Sequence, residues 1–270
     1  MYNSFMVSKT RLDVLLVERG IVASRSLAQR MVMAGQVRVD GQVAIKPSVK
    51  VHGGAAIEID EGPRYVSRGG EKLQAALDEF QLDVAELTCA DVGASTGGFT
   101  DCLLQRGAKK VYAVDVGKGI LDWKLRQDAR VEVMEETNAR YVVKMAESVD
   151  LVTIDASFIS LKVLLPVVKG WFGDKGGQVI ALIKPQFEAG RKVVSKGKGV
   201  VRDPEVHKQV LEDVLGFAQK EGYGVSGLVR SPLMGPKGNT EFLAQLTHLR
   251  ENADEIEILI GEVFSNPAQG

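Results

Sequence analysis

Hydrophobic positions change period along the chain. Leu12, Leu15 and Leu16 recur at helical spacing up to Gly20, and Leu27, Ala28, Met31 and Val32 do so up to Gly35. Two short helices are predicted, the first opened by a capping-box-like Thr10 and Asp13, the second capped by Ser24, and each stopped by glycine. The period then becomes two: Val37, Val39, Val43 and Ile45 flank Asp40-Gly41 as in a hairpin, and Ile57 and Ile59 offer a third strand after Gly53-Gly54. Asp60-Glu61-Gly62-Pro63 breaks this pattern. A helical run from about Lys72 to Phe80 follows, and then apolar strands near 89–92, 111–115, 131–133, 150–154, 178–183, 224–229 and 241–246 alternate with amphipathic stretches. One of these opens at Asp203-Pro204-Glu205 and runs through Val206, Val210, Leu211, Val214 and Phe217. The pattern predicts α/β architecture: a doubly wound, mostly parallel sheet over 72–270, a small α+β domain over 1–62, and a linker over 63–71 in which Gly69-Gly70 permits a hinge.

Composition narrows the class. With 45% apolar residues in 270 a core can be filled, which excludes disorder and fibrous repeats. No apolar run approaches the ~18 residues of a spanning helix, the first residues carry no long apolar region, and two cysteines make no disulfide framework. The expectation is a cytoplasmic, reduced protein without a membrane partner. Charge is uneven: residues 1–72 hold 11 Lys+Arg against 7 Asp+Glu, net +4, and the remainder 23 against 28, net −5. Such a basic front suggests a polyanion-binding module, with Arg11, Arg25, Arg30, Arg38 and Lys46 facing phosphates and Arg64 and Arg68 continuing into the linker. The segment RLDVLLVERGIVASRSLAQRMVMAGQVRVDGQVAIKPSVKV resembles the alpha-L RNA-binding fold of ribosomal small-subunit protein four. It contains no aromatic for stacking, which favours a reader of RNA shape and phosphates over one of splayed bases.

The first strand of the large domain ends in Asp91-Val-Gly93-Ala-Ser95-Thr-Gly97-Gly98-Phe-Thr100, a glycine turn into a helix. The next strand, VYAVD, ends in Asp115, 24 residues after Asp91, where a carboxylate can accept from a ribose diol. This is a Rossmann-like nucleotide site. The spacing of Gly93, Gly97 and Gly98 departs from the dinucleotide fingerprint, and Asp91 suits an amino-acid ammonium, so the assigned cofactor is S-adenosylmethionine. Asn138, after the third strand, is placed near the adenine, with a simple turn as its alternative.

Polar residues that the apolar pattern does not need stand at converging strand ends: Asp155 after LVTI, Lys184 after VIALI and Glu241 before the last strand, with Lys72 approaching from the first helix. Asp155-Ala-Ser-Phe158 is not the Asn/Asp-Pro-Pro-Tyr of base-amine methylation, and no cysteine lies near for carbon methylation. A hydroxyl acceptor remains. Together with YVSRGGEKL, DVGASTGGFTD, TIDASF and ALIKPQFE, these residues closely resemble the TlyA family of FtsJ-like ribose methyltransferases over nearly the whole chain. The resemblance implies 2′-O-methylation of cytidine in ribosomal RNA, large-subunit and in some members also small-subunit, with Lys72, Asp155, Lys184 and Glu241 as its catalytic tetrad.

Lys184 is the candidate base. Burial, Lys72 and a sulfonium favour its neutral amine, whereas Asp155 and Glu241 favour the ammonium; in that case Lys184 steers the oxygen while a carboxylate or water takes the proton. Lys192, Lys196 and Lys198, in a basic glycine-containing run, are read as a phosphate-contacting lid. His52, His207 and His248 are scattered and no spacing fits a metal. The expected partners are ribosomal RNA or ribosomal subunits, met by a monomer. Two competing readings are an RNA-binding sensor of S-adenosylmethionine without chemistry, and the membrane-active protein implied by the haemolysin label that some family members carry.

Overall fold

The computed structural model describes residues 9–60, 62–249 and 255–265, with backbone alone for Arg191, Lys192, Lys196 and Pro236. The chain divides into two compact units, 1–64 and 65–270.

In the first unit the order is β1 (Lys9–Arg11), α1 (Leu12–Glu18), α2 (Arg25–Met33), β2 (Val37–Val39), β3 (Gln42–Val43), β4 (Lys50–His52) and β5 (Ile57–Ile59). Leu12, Leu16, Ala28, Val32 and Val37 are fully buried in its core. Asp40 and Gly41 both take positive φ, 50° and 78°, as a tight hairpin turn between β2 and β3 requires. β5 pairs with the other side of β2. Ser24 caps α2, its Oγ accepting from Leu27 N at 3.3 Å.

The capping box expected at α1 does not form. Thr10 is drawn into β1 by antiparallel pairing with Val51 on β4, a two-stranded sheet the sequence pattern did not reveal, and Arg11 at the N-cap provides no side-chain cap. Asp13 turns instead to side chains of α2 and β1. Ile45 also lies outside the expected strand, which ends at Val43, and is 68% exposed.

The second unit opens with α3 (Gly69–Glu79), β6 (Thr88–Val92), α4 (Gly98–Gln105), β7 (Lys110–Val114), α5 (Trp123–Arg126), β8 (Val131–Met134), β9 (Leu151–Ile154) and α6 (Leu161–Val168). It continues through β10 (Gly177–Ile183), α7 (Pro185–Glu188), α8 (Arg191–Lys196), α9 (Pro204–Lys220), β11 (Tyr223–Arg230), β12 (Phe242–His248) and α10 (Ile256–Ser265). The helix expected from Lys72 thus begins at Gly69. Gly69 and Gly70 lie in the first turn of this helix, and a Cβ on Gly70 would lie 2.2 Å from the Tyr65 ring, so the glycine lets that ring pack on the helix. The basic run read as a phosphate-contacting lid contains the short helix α8.

All seven strands join one sheet in the order β11-β12-β10-β9-β6-β7-β8. β8, β7, β6, β9 and β10 are parallel, β12 runs antiparallel to β10, and β11 antiparallel to β12. From β6 the chain builds outward through β7 and β8, then crosses to β9 on the other side. This reversal opens a crevice at the carboxyl ends of β6 and β9.

Alternate residues of the central strands feed opposite layers. Ala90, Val92, Val179, Ala181 and Ile183 pack with Leu164 of α6 and Val210 and Val214 of α9. Cys89, Ile180 and Leu182 pack with Leu73 of α3 and Leu103 of α4. Burial on both faces explains why these strands read as continuous apolar runs. No helix among the described residues is long and apolar enough to cross a membrane.

At the start of α9, Asp203 accepts from Glu205 N at 3.0 Å and Pro204 occupies the first helical position. Replacing Asp203 with alanine leaves end N–H groups without that acceptor. Denaturant unfolding of Asp203→Ala is expected to show a loss of about 1 kcal/mol.

Candidate active site

Because β12 runs against β10, its first end lies at the edge where β9 and β10 finish. Ile183 of β10 pairs with Phe242 of β12, which sets Lys184 and Glu241 at the same end of neighbouring strands. Asp155 follows β9 at that edge, and Lys72 reaches it from the first turns of α3. The four meet as two ion pairs. Lys72 Nζ lies 2.6 Å from Glu241 Oε2, and Lys184 Nζ lies 2.5 Å from Asp155 Oδ1 while donating to Ser157 Oγ at 3.1 Å. Glu241 is 1% exposed and Lys184 8%. A carboxylate so far from water costs several kcal/mol unless paired, so Lys72 is a structural necessity for Glu241. The second Glu241 oxygen accepts from Gln186 Nε2 at 3.2 Å.

These side chains face a cavity of about 720 Å³, whose walls include Ser95 and Gly98 of the glycine turn, Arg68 and Phe158. The volume suits a nucleotide-sized ligand. Phe158, 90% exposed and 5.0 Å from Phe187 between ring centroids, has φ of +65°, a costly conformation for a bulky residue.

The predicted cofactor residues occupy unequal positions. Gly93, Ser95 and Gly98 line the cavity. Asp115 stands at the end of β7, accepting from Ser95 N at 2.8 Å and Gly117 N at 2.7 Å, so it ties the turn to the neighbouring strand end. Small side chains along the turn and backbone open to the cavity fit the amino-acid part of S-adenosylmethionine; Asp115, expected to accept from the ribose diol, is not among the residues that line the cavity, and its two oxygens accept from backbone N–H groups.

Asp91 does not reach the cavity. It is fully buried and accepts from Thr100 Oγ1 at 2.7 Å and Thr153 Oγ1 at 3.1 Å, so it fastens β6 to α4 and β9 and is no direct anion for an ammonium. Gly97, with φ of +99°, serves packing: a Cβ there would lie 2.1 Å from Leu125 Cδ1. Asn138 takes the turn role, its Oδ1 accepting from Arg140 N at 3.2 Å.

Of the cations predicted to face RNA, Arg30, Lys46, Arg64 and Lys198 are exposed and Arg38 is half-buried, donating to Gly41 O at 3.4 Å. Arg68 is exposed and lines the cavity. Arg11 and Arg25 are joined to Asp13. The side chains of Lys192 and Lys196 lie outside the described residues.

A family model described as FtsJ-like methyltransferase matches residues 65–247, and an S4 domain model matches residues 10–57. A Bacillus subtilis protein, YqxC, provisionally named an rRNA methyltransferase, is 50% identical over 242 residues, 88% of this chain and 85% of its own. The Mycobacterium tuberculosis protein named 16S/23S rRNA (cytidine-2′-O)-methyltransferase TlyA is 44% identical over 245 residues, 89% and 91% of the two chains. The chain belongs to the TlyA family of FtsJ-like methyltransferases. A solved structure from Streptococcus thermophilus, provisionally named a hemolysin, superposes with a TM-score of 0.70 at 45% identity, covering 96% of this chain and 97% of that one.

Within the FtsJ-like domain, sequence reasoning passed over Ser157, Gln186, Phe158 and Met234, all of which line the cavity. Gln186 carried a signal: a polar residue two positions beyond the strand-end Lys184. Phe158 carried one too, as the last residue of the Asp155-Ala-Ser-Phe158 motif, whereas Met234 carried none, because only its placement at the cavity marks it.

Burial pushes the Asp91 carboxyl up to about 7, against the hydroxyl hydrogen bonds that favour its charge. A carboxyl raised on folding binds more protons in the native chain than in the unfolded one. Its contribution is therefore full at low pH and lost as pH rises toward 7. Asp91→Asn removes this dependence. Between pH 5 and 8, wild type should lose on the order of 2–3 kcal/mol relative to the variant in paired denaturant titrations.

Proposed function

We propose that the chain methylates the ribose 2′-oxygen of a cytidine in ribosomal RNA, using S-adenosylmethionine. The observation that carries this reading is the pair of lysine–carboxylate contacts, Lys184–Asp155 and Lys72–Glu241, facing one cavity with the glycine turn. The name of the Mycobacterium tuberculosis relative supports the cytidine and the 2′-oxygen. Both cysteines are buried in the core, which supports a hydroxyl acceptor over covalent attack on a base carbon.

Gly93, Ser95 and Gly98, in a turn secured by Asp115, would hold S-adenosylmethionine, which would supply an electrophilic methyl on a sulfonium. The chain's own residues prepare the acceptor. Lys184 donates to the 2′-oxygen and directs its lone pair, and Lys72, held by Glu241, fixes the other side of the pocket. The hydroxyl proton passes to the Lys184–Asp155 pair, which acts as one acceptor: it is neutral before and carries one positive charge after, as ammonium and carboxylic acid. Alignment by residues held in ion pairs reduces the orientational cost of the reaction. The exposed ring of Phe158, backed by Phe187, gives a neighbouring base a surface for stacking. The cations of the S4 domain, with Arg64, Arg68, Lys192, Lys196 and Lys198, hold phosphates and bring the RNA to the cavity.

Transfer of labelled methyl to unmodified ribosomal subunits and to naked ribosomal RNA tests this. Label is expected in 2′-O-methylcytidine. Lys184→Ala should lower the rate by about 100-fold or more while cofactor affinity changes little. Absence of label from a chain that binds S-adenosylmethionine and RNA would favour the sensor reading.

A further inference from the structure

Asp13 stands apart from the other acids of the first unit. It is fully buried, yet it lies in α1 of a domain whose charge is basic. Its carboxylate accepts from Arg11 Nε at 3.0 Å and Arg11 Nη2 at 2.9 Å, from Arg25 Nε at 3.0 Å, and from Gln29 Nε2 at 2.9 Å. These donors, led by Arg11 and opposed by burial, hold the carboxyl far below the usual range.

The two arginines use one edge each. Arg11 gives Asp13 its Nε side and Arg25 gives only Nε, while the side chains remain 41% and 55% exposed. A guanidinium has five N–H donors in a rigid fork, so each retains N–H groups beyond those that Asp13 takes. We propose that Asp13 is a positioning residue for RNA: it fixes Arg11 and Arg25 as a paired phosphate clamp, their outer N–H groups aligned before RNA arrives.

The physical gain is entropic. A free surface arginine surrenders rotamer freedom when it grips a phosphate, and Asp13 has already removed much of that freedom on folding. The cost is one negative charge on a polyanion-binding surface. Simple electrostatics and preorganisation therefore predict opposite signs for Asp13→Asn: removal of an anion should tighten RNA binding, whereas release of the clamp should weaken it.

The inference rests on the proposed ribosomal RNA substrate, and the experiment separates the two. Binding of the full chain to unmodified ribosomal subunits is measured for wild type, Asp13→Asn, Arg11→Ala/Arg25→Ala, and the triple variant, with thermal unfolding and methyl transfer on each. Asp13→Asn is expected to weaken binding about tenfold and to raise KM with kcat retained. In the Arg11→Ala/Arg25→Ala background the same substitution should change binding less than twofold. Unchanged or tighter binding by Asp13→Asn overturns the clamp, as does an equal loss in both backgrounds, which would make Asp13 a staple between α1 and α2. A wild-type chain that binds no ribosomal RNA overturns the substrate reading itself.

Discussion

A carboxylate buried to 1% exposure needs a cation in contact, and Glu241 meets that condition through Lys72. The pair spans 169 residues of chain, joining the first helix of the large unit to its last strand. It forms only because β12 is reversed: an additional parallel strand would have put its opening residue at the opposite edge of the sheet. The antiparallel register with β10 is thus the condition on which the site depends. It also brings Lys184 beside the same cavity, so that one strand reversal assembles charges from α3, β9, β10 and β12.

The rest of the pocket follows from the doubly wound order. The crevice between β6 and β9 opens where the chain changes direction across the sheet, and the glycine turn after β6 forms one wall. Asp115 secures that turn from β7 at the surface, whereas Asp91 secures it from below through Thr100 and Thr153. Two acids at successive strand ends therefore do different work. One is half-buried behind the glycine turn, and the other is sealed in the sheet with its proton affinity raised by burial.

In both units, carboxylates organise cations. Glu241 and Asp155 hold the two lysines at the cavity, and Asp13 holds two arginines in the S4 domain. For the arginines, whose side chains stay 41% and 55% exposed, the pairing offsets side-chain disorder more than it adds net attraction, since water screens them. A surface that must meet an RNA backbone in one register benefits from cations with fixed direction. Net charge, only −1 for the whole chain, reveals none of this.

Sequence by itself determined the elements and their order. Continuous apolar runs located the seven strands of the large sheet, Asp203-Pro204 the start of α9, and Asp40-Gly41 the hairpin, because each depends on local backbone preference or on a composition that burial on both faces demands. Polar residues interrupting apolar runs marked Asp155, Lys184 and Glu241, since a strand end has no other need for charge. Tertiary structure decided the partners. Whether Asp13 would cap a helix or gather arginines, whether Asp91 would face a ligand or two threonines, and whether Gly70 would bend or be packed against all depend on atoms distant in sequence. Local propensity cannot see those atoms, and burial, which sets the energy of a charge, exists only after the chain has folded.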